Sequence, residues 1–215
     1  HTDVTFVDAF PKISILRGVT IPEYGGDTVW ANTVLAYEQL PESLKQFVGS
    51  LRAVHSNNYD YGAERIVTEE HRLNHHQKVF VSSVWEAEHP VVHVHPVTGE
   101  RALLLGHFVK KIVGFSSRES AQLFELLQNR IIRLENTVRW NWQQDDVVIW
   151  DNRSTQHYAV NDYGDQPRLV RRVTIEGGQA VAIDGSRSRT VARPQDAANG
   201  SGTENQDREV NYAAS

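Results

Sequence analysis

Apolar residues in this chain come in short runs broken by proline and glycine, and few segments carry a helical period. Residues 1 to 6 read as a strand, and Ser14-Ile15-Leu16-Arg17-Gly18-Val19-Thr20-Ile21, between Pro11 and Pro22, reads as another. Val91–Val94 and Arg101–Leu105 flank Pro96-Val97-Thr98-Gly99-Glu100, a hairpin signal. Thr137–Trp142, Val147–Asp151 and Leu169–Glu176 follow in quick succession. Helices are fewer. Asn32 or Thr33 can cap one over Val34–Leu40, and Pro41 opens a second carrying Leu44, Phe47, Val48 and Leu51 on one face. Ser116 and Glu119 form a capping box ahead of Leu123, Phe124, Leu127 and Ile131. Many short strands with flanking helices predict a mainly β fold, a sandwich or jelly roll open at one mouth for ligands.

The chain of 215 residues suits one domain, over 1–185. Residues 55 to 88 are polar and aperiodic, which predicts a long excursion able to act as a lid. From Ser186 to Ser215 apolar residues thin out, so that segment is expected to be a disordered tail. A net charge of −5 offers no basic field for nucleic acid. No apolar run approaches the roughly 20 residues of a membrane span. Small molecules are therefore the expected partners. With no cysteine, disulfides and thiolate metal sites are excluded and His, Asp and Glu remain as ligands, which suits a cytoplasmic enzyme.

Two distant segments carry the chemistry. In an extended strand residues i and i+2 share a face, so His1 and Asp3 of His1-Thr2-Asp3 can offer an imidazole and a carboxylate to one ion. A distant strand, Trp150-Asp151-Asn152-Arg153-Ser154-Thr155-Gln156-His157, can add the second imidazole from His157. Two histidines and one carboxylate leave coordination positions open, the arrangement of non-haem Fe(II) oxygenases. Asp151 is a rival carboxylate, but in the Asp151-Asn152-Arg153 turn its side chain is expected to bond backbone amides instead. His93 and His95 form an H-x-H within the hairpin and read as structural.

The context of these residues is specific. Thr28 lies in Tyr24-Gly25-Gly26-Asp27-Thr28, and Arg168 and Arg172 follow His157 on a β-rich stretch. This order resembles the taurine dioxygenase family of Fe(II)/2-oxoglutarate-dependent enzymes. The runs HTDVTF, GGDTVWANT, EHPVVHVHPVTGERALLLGHFVKKIVGF, LENTVRWNW, WDNRSTQHYAVNDY and QPRLVRRVTIEG are most similar to its branch that cleaves sulfate esters, from residue 1 to about 190. The resemblance implies a double-stranded β-helix, the cupin-like jelly roll. It implies Fe(II) on His1, Asp3 and His157, with 2-oxoglutarate as cosubstrate and dioxygen as oxidant. Thr28 and Arg168 would hold the distal carboxylate of 2-oxoglutarate, a task suited to a planar guanidinium. Arg172 and the backbone N–H of Val4 would bind a sulfate or sulfonate head, while Phe108, Tyr61 and Tyr59 line the path of the carbon chain and Trp150 walls the metal. The implied reaction hydroxylates the carbon beside the ester oxygen of an alkyl sulfate, releasing aldehyde and inorganic sulfate for sulfur metabolism. A taurine-type sulfonate dioxygenase and a non-catalytic cupin-like binding protein are the alternatives. The resemblance further implies a homo-oligomer, dimer or tetramer, and a segment of the family domain ahead of the H-x-D residues that this sequence does not include.

Overall fold

The computed structural model describes residues 1–58 and 84–193. Tyr59 and Tyr61, and most of the segment read as a lid, lie outside the described residues, as does the chain from 194 onward.

The strands are β1 (Ile13–Thr20), β2 (Thr28–Asn32), β3 (Arg52–Ser56), β4 (Glu86–Pro90), β5 (Val92–Val94), β6 (Arg101–Leu103), β7 (Val109–Ile112), β8 (Thr137–Trp140), β9 (Val147–Asp151), β10 (Thr155–Ala159), β11 (Leu169–Ile175), β12 (Val181–Ala182) and β13 (Arg189–Ala192). Among the described residues three α-helices flank them: α1 (Thr33–Glu38), α2 (Glu42–Val48) and α3 (Ser117–Ile131). All pairings among these strands are antiparallel, in the orders β11-β1-β9, β10-β2-β8, β12-β5-β6 and β13-β4-β3-β7. The architecture is the jelly roll that the short strands predict.

The sheets β11-β1-β9 and β10-β2-β8 matter most for the site. In the first, Ser14 stands opposite Trp150 and Leu16 opposite both Val148 and Arg172, so these side chains share one face. In the second, Trp30 stands opposite His157. Leu16, Trp30, Trp142, Trp150 and Val170 form one buried cluster between the two sheets, with Trp30 and Trp150 ring centroids 5.5 Å apart. His157, Ser14 and Arg172 therefore look into a common interior. A second core beneath the helices joins Tyr37, Leu40, Val48, Leu103, Leu105, Leu127 and Ile131.

Local signals explain the helix starts. Asn32 caps α1 by accepting from the Leu35 N–H, and Ser116 with Glu119 closes the expected capping box on α3.

Three expectations need correction. Residues 1 to 6 are not a strand: the segment turns after Thr2, with Val7 N–H donating to the Val4 carbonyl and Val4 itself left-handed at φ 56°. The polar stretch 55 to 88 begins and ends in strand, since β3 and β4 pair with each other and are almost wholly buried. Its polarity is hidden by partners: Glu88 lies between Arg52 and Arg189, and His55 and His89 are both fully buried. Finally, the segment expected to be a tail from Ser186 contributes β13, because Arg189 and Thr190 pair with Glu88 and Ala87 of β4.

Candidate metal centre

His1 is clipped to β10 by two backbone hydrogen bonds, its nitrogen donating to the His157 carbonyl at 2.7 Å and the His157 N–H returning to the His1 carbonyl at 2.8 Å. This pairing sets the two imidazoles face to edge, with ring centroids 4.3 Å apart. The turn after Thr2 then swings Asp3 back, placing its Oδ1 3.4 Å from His1 Nε2 and 3.6 Å from His157 Nε2. One ligand atom from each residue lies within 4.8 Å of the others. The three residues thus converge as the sequence suggests, through a turn rather than along a strand face.

Each polar group of the turn is tied to a different element. Thr2 Oγ1 donates to the Thr155 carbonyl, Ser14 Oγ donates to Asp3 Oδ2, and Thr5 meets two histidines through its Oγ1 to His55 Nδ1 and its carbonyl to His89 Nε2. Val4 holds a conformation rare for a β-branched residue, which persists only where the surroundings over-determine it.

The electrostatics suit a cation. Burial alone raises the Asp3 carboxyl, yet the His1 hydrogen bond, the charges of His157 and Arg172 and the Ser14 hydroxyl together hold it well below the usual carboxylate range. Burial pushes His157 down to about 3, reinforced by His1 and opposed by Asp3, so its imidazole is neutral at ordinary pH and able to ligate. Phe108 and Trp150 wall the imidazoles, at 5.7 Å from His1 and 4.9 Å from His157 between centroids.

Arg168, just before β11, donates from Nε to the Gly26 carbonyl, while its Nη2 is buried without a hydrogen-bond partner among the described residues. Burial lowers the guanidinium from its ordinary value, as expected when charge is removed from water, and Tyr163 opposes the shift. Gly26, at φ +70°, lets the arginine approach, since a Cβ there would lie 3.0 Å from Arg168 Nε. Thr28 shares the inner face with Trp30 and His157, and its Oγ1 accepts from Trp142 Nε1 at 2.9 Å, leaving the hydroxyl hydrogen to donate inward. Arg172 reaches the centre itself, its Nη1 2.6 Å from Asp3 Oδ1.

The remaining candidates are structural. Asp151 accepts from the Arg153 N–H at 2.8 Å, as its turn predicts, and also takes Arg153 and His95 side chains. His93 Nε2 bonds the Arg153 carbonyl. The sequence reading missed Ser14, Asn152, Trp142, His55 and His89. Asn152 lies within the quoted run that ends at His157, but nothing local marks the other four.

A jelly roll whose facing sheets bring two imidazoles and one carboxylate together has the plan of a mononuclear metal protein. The chain belongs to the taurine catabolism dioxygenase TauD, TfdA family, which its residues 1–174 match. An alkylsulfatase of Acinetobacter baylyi is 63% identical over 191 residues, covering 89% of this chain and 60% of the relative. An alpha-ketoglutarate-dependent sulfate ester dioxygenase of Pseudomonas putida is 60% identical over 193 residues, covering 90% and 64% respectively. A crystal structure of a taurine dioxygenase from Burkholderia xenovorans has 43% identity and a TM-score of 0.75, over 89% of this chain and 61% of that one. The chain thus spans less than two thirds of the length of these relatives.

Proposed function

We propose that this chain carries the reaction centre of an Fe(II)/2-oxoglutarate-dependent dioxygenase that hydroxylates the carbon next to the ester oxygen of alkyl sulfates, giving an aldehyde and inorganic sulfate. The observation that supports the cosubstrate is the buried Nη2 of Arg168, which has no hydrogen-bond partner among the described residues, taken with the cluster of His1, Asp3 and His157. A guanidinium in that state is stabilised by a carboxylate arriving as a bidentate partner. His1, Asp3 and His157 would hold Fe(II), and Arg168 with Thr28 the distal carboxylate of 2-oxoglutarate. When bound, Fe(II) with 2-oxoglutarate and dioxygen supplies the oxidant for a C–H bond, the cosubstrate leaving as succinate and carbon dioxide. The protein's own task is positioning. Arg172 and the Val4 N–H orient the anionic head, Phe108 bounds the carbon chain, and the tryptophan cluster keeps water from the centre. The sulfate-ester preference rests on the two relatives at 63% and 60% identity and their names.

The test is product analysis on the protein with Fe(II), 2-oxoglutarate and either a medium-chain alkyl sulfate or taurine. Succinate with stoichiometric sulfate from the ester is expected. Sulfite from taurine in preference would assign the sulfonate reaction instead, and no succinate with any substrate would leave a binding protein.

A further inference from the structure

Behind Asp3 runs a buried chain of side-chain hydrogen bonds that no part of the proposed chemistry requires. Trp150 Nε1 donates to Asn152 Oδ1 at 3.0 Å, Asn152 Nδ2 donates to Ser14 Oγ at 2.8 Å, and Ser14 Oγ donates to Asp3 Oδ2 at 2.6 Å. Its members are sealed from solvent: Ser14 is 0% exposed, Asn152 1% and Asp3 2%. Three elements contribute, since Ser14 belongs to β1, Trp150 to β9, and Asn152 to the turn beyond it, where its N–H also bonds the Lys12 carbonyl.

The chain runs in one direction only. An indole N–H can donate but not accept, so the Asn152 amide must turn its oxygen toward Trp150 and its NH₂ toward Ser14. Ser14 Oγ then accepts from Asn152, and its one hydrogen is left for Asp3. At the far end a carboxylate can only accept. A donor-only group and an acceptor-only group thus fix every bond between them, including the orientation of the amide.

The consequence falls on the two oxygens of Asp3. Oδ2 is engaged by Ser14, whereas Oδ1 faces His1, His157 and Arg172. We propose that Trp150, Asn152 and Ser14 are positioning residues that lock the Asp3 carboxylate so that only Oδ1 is offered to the metal. A carboxylate free to rotate could present both oxygens and fill a position that the cosubstrate or dioxygen needs. Partners of this kind behind a metal ligand typically change metal affinity by roughly 10- to 100-fold when removed.

This inference rests on the metal reading of His1, Asp3 and His157, and Co(II) distinguishes the two. Visible absorption of the Co(II)-loaded full chain reports both affinity and coordination number. Wild type, Ser14→Ala, Ser14→Thr and Asn152→Leu would be titrated with Co(II), with thermal melting of each metal-free protein run alongside. We expect Ser14→Ala and Asn152→Leu to bind Co(II) about 10- to 100-fold more weakly with an altered spectrum, and Ser14→Thr, which keeps the hydroxyl, to retain the wild-type spectrum. If Asn152→Leu does not fold, the comparison of Ser14→Ala with Ser14→Thr carries the same information. In steady-state assays the Ser14→Ala defect should be relieved by excess Fe(II) in KM terms while succinate formed per product rises. Wild-type affinity and spectrum in a folded Ser14→Ala would overturn the positioning role alone. Failure of the wild type to bind Co(II) would overturn the metal reading and the inference with it.

Discussion

The two arginines of the site sit four positions apart and do different things. Arg168 has a buried Nη2 without a hydrogen-bond partner among the described residues, and Arg172 rests on Asp3 at 2.6 Å. Truncating one partner of a buried charge pair typically costs about 2–5 kcal/mol. Arg168→Ala should therefore raise the 2-oxoglutarate requirement by more than tenfold, and an unchanged requirement would place the carboxylate receptor elsewhere. Arg172→Ala, compared at saturating Fe(II) because the residue also touches Asp3, should lower sulfate-ester turnover at least about tenfold with 2-oxoglutarate binding nearly intact. Arg172→Lys should rescue poorly, since an ammonium on a flexible stem does not reproduce a planar fork. The measurement is sulfate released per succinate formed, and a ratio near one in all three proteins would make Arg172 an ordinary strand residue.

At the scale of elements, the pair β3 and β4 holds the turn that carries Asp3 from behind. His89 is fully buried, and its Nε2 meets the Thr5 carbonyl while its Nδ1 meets Ser188 Oγ. Because a carbonyl only accepts, Nε2 carries the proton, and the neutral ring accepts from Ser188. Burial pushes His89 down to about 4, and His93 likewise. In the unfolded chain both would titrate near 6.5, so between pH 6.5 and 4 the unfolded state binds more protons and stability falls as pH falls. The carboxylates held low, Asp3, Asp27, Glu88 and Asp151, add their loss only further into acid. Chemical denaturation in the presence of a chelator should show a lower midpoint at pH 5 than at pH 7.5, and His89→Gln should reduce the difference. A profile that is flat in the wild type would refute the neutral buried assignment.

For the whole molecule, the candidate site joins the first residues of the chain to a strand at residue 157, so on the proposed function metal binding and folding would be linked. A ligand that binds only the native state stabilises it by RT ln(1 + [L]/Kd), about 2.7 kcal/mol at a hundredfold excess over Kd. Co(II) should raise the melting temperature of the wild type reversibly, with a chelator returning it. Asp3→Ala, which leaves two neutral imidazoles, should show almost no such shift. Equal shifts in both proteins would place the metal elsewhere.

Much of this was legible in the residues themselves. The short strands, the capping box of α3, the hairpin around Gly99 and the residues His1, Asp3 and His157 that the fold brings together are all visible, because each depends on local periodicity, on turn chemistry or on residue types that few other roles require. What the linear pattern missed has one cause. Periodicity reports which side chains are apolar, so β3 and β4, whose buried positions include His55, Glu88 and His89, read as a polar excursion. Burial of these groups is favourable only with Thr5, Arg52, Arg189 and Ser188 in place, and those partners come from distant parts of the chain. The same holds at the centre. Residue identity alone determined that two imidazoles and one carboxylate were available to a metal. Only the tertiary structure decided that a turn and not a strand delivers Asp3, that Ser14 takes one of its oxygens, and that the other faces the imidazoles, because a hydrogen bond's direction depends on atoms brought together across the sheets.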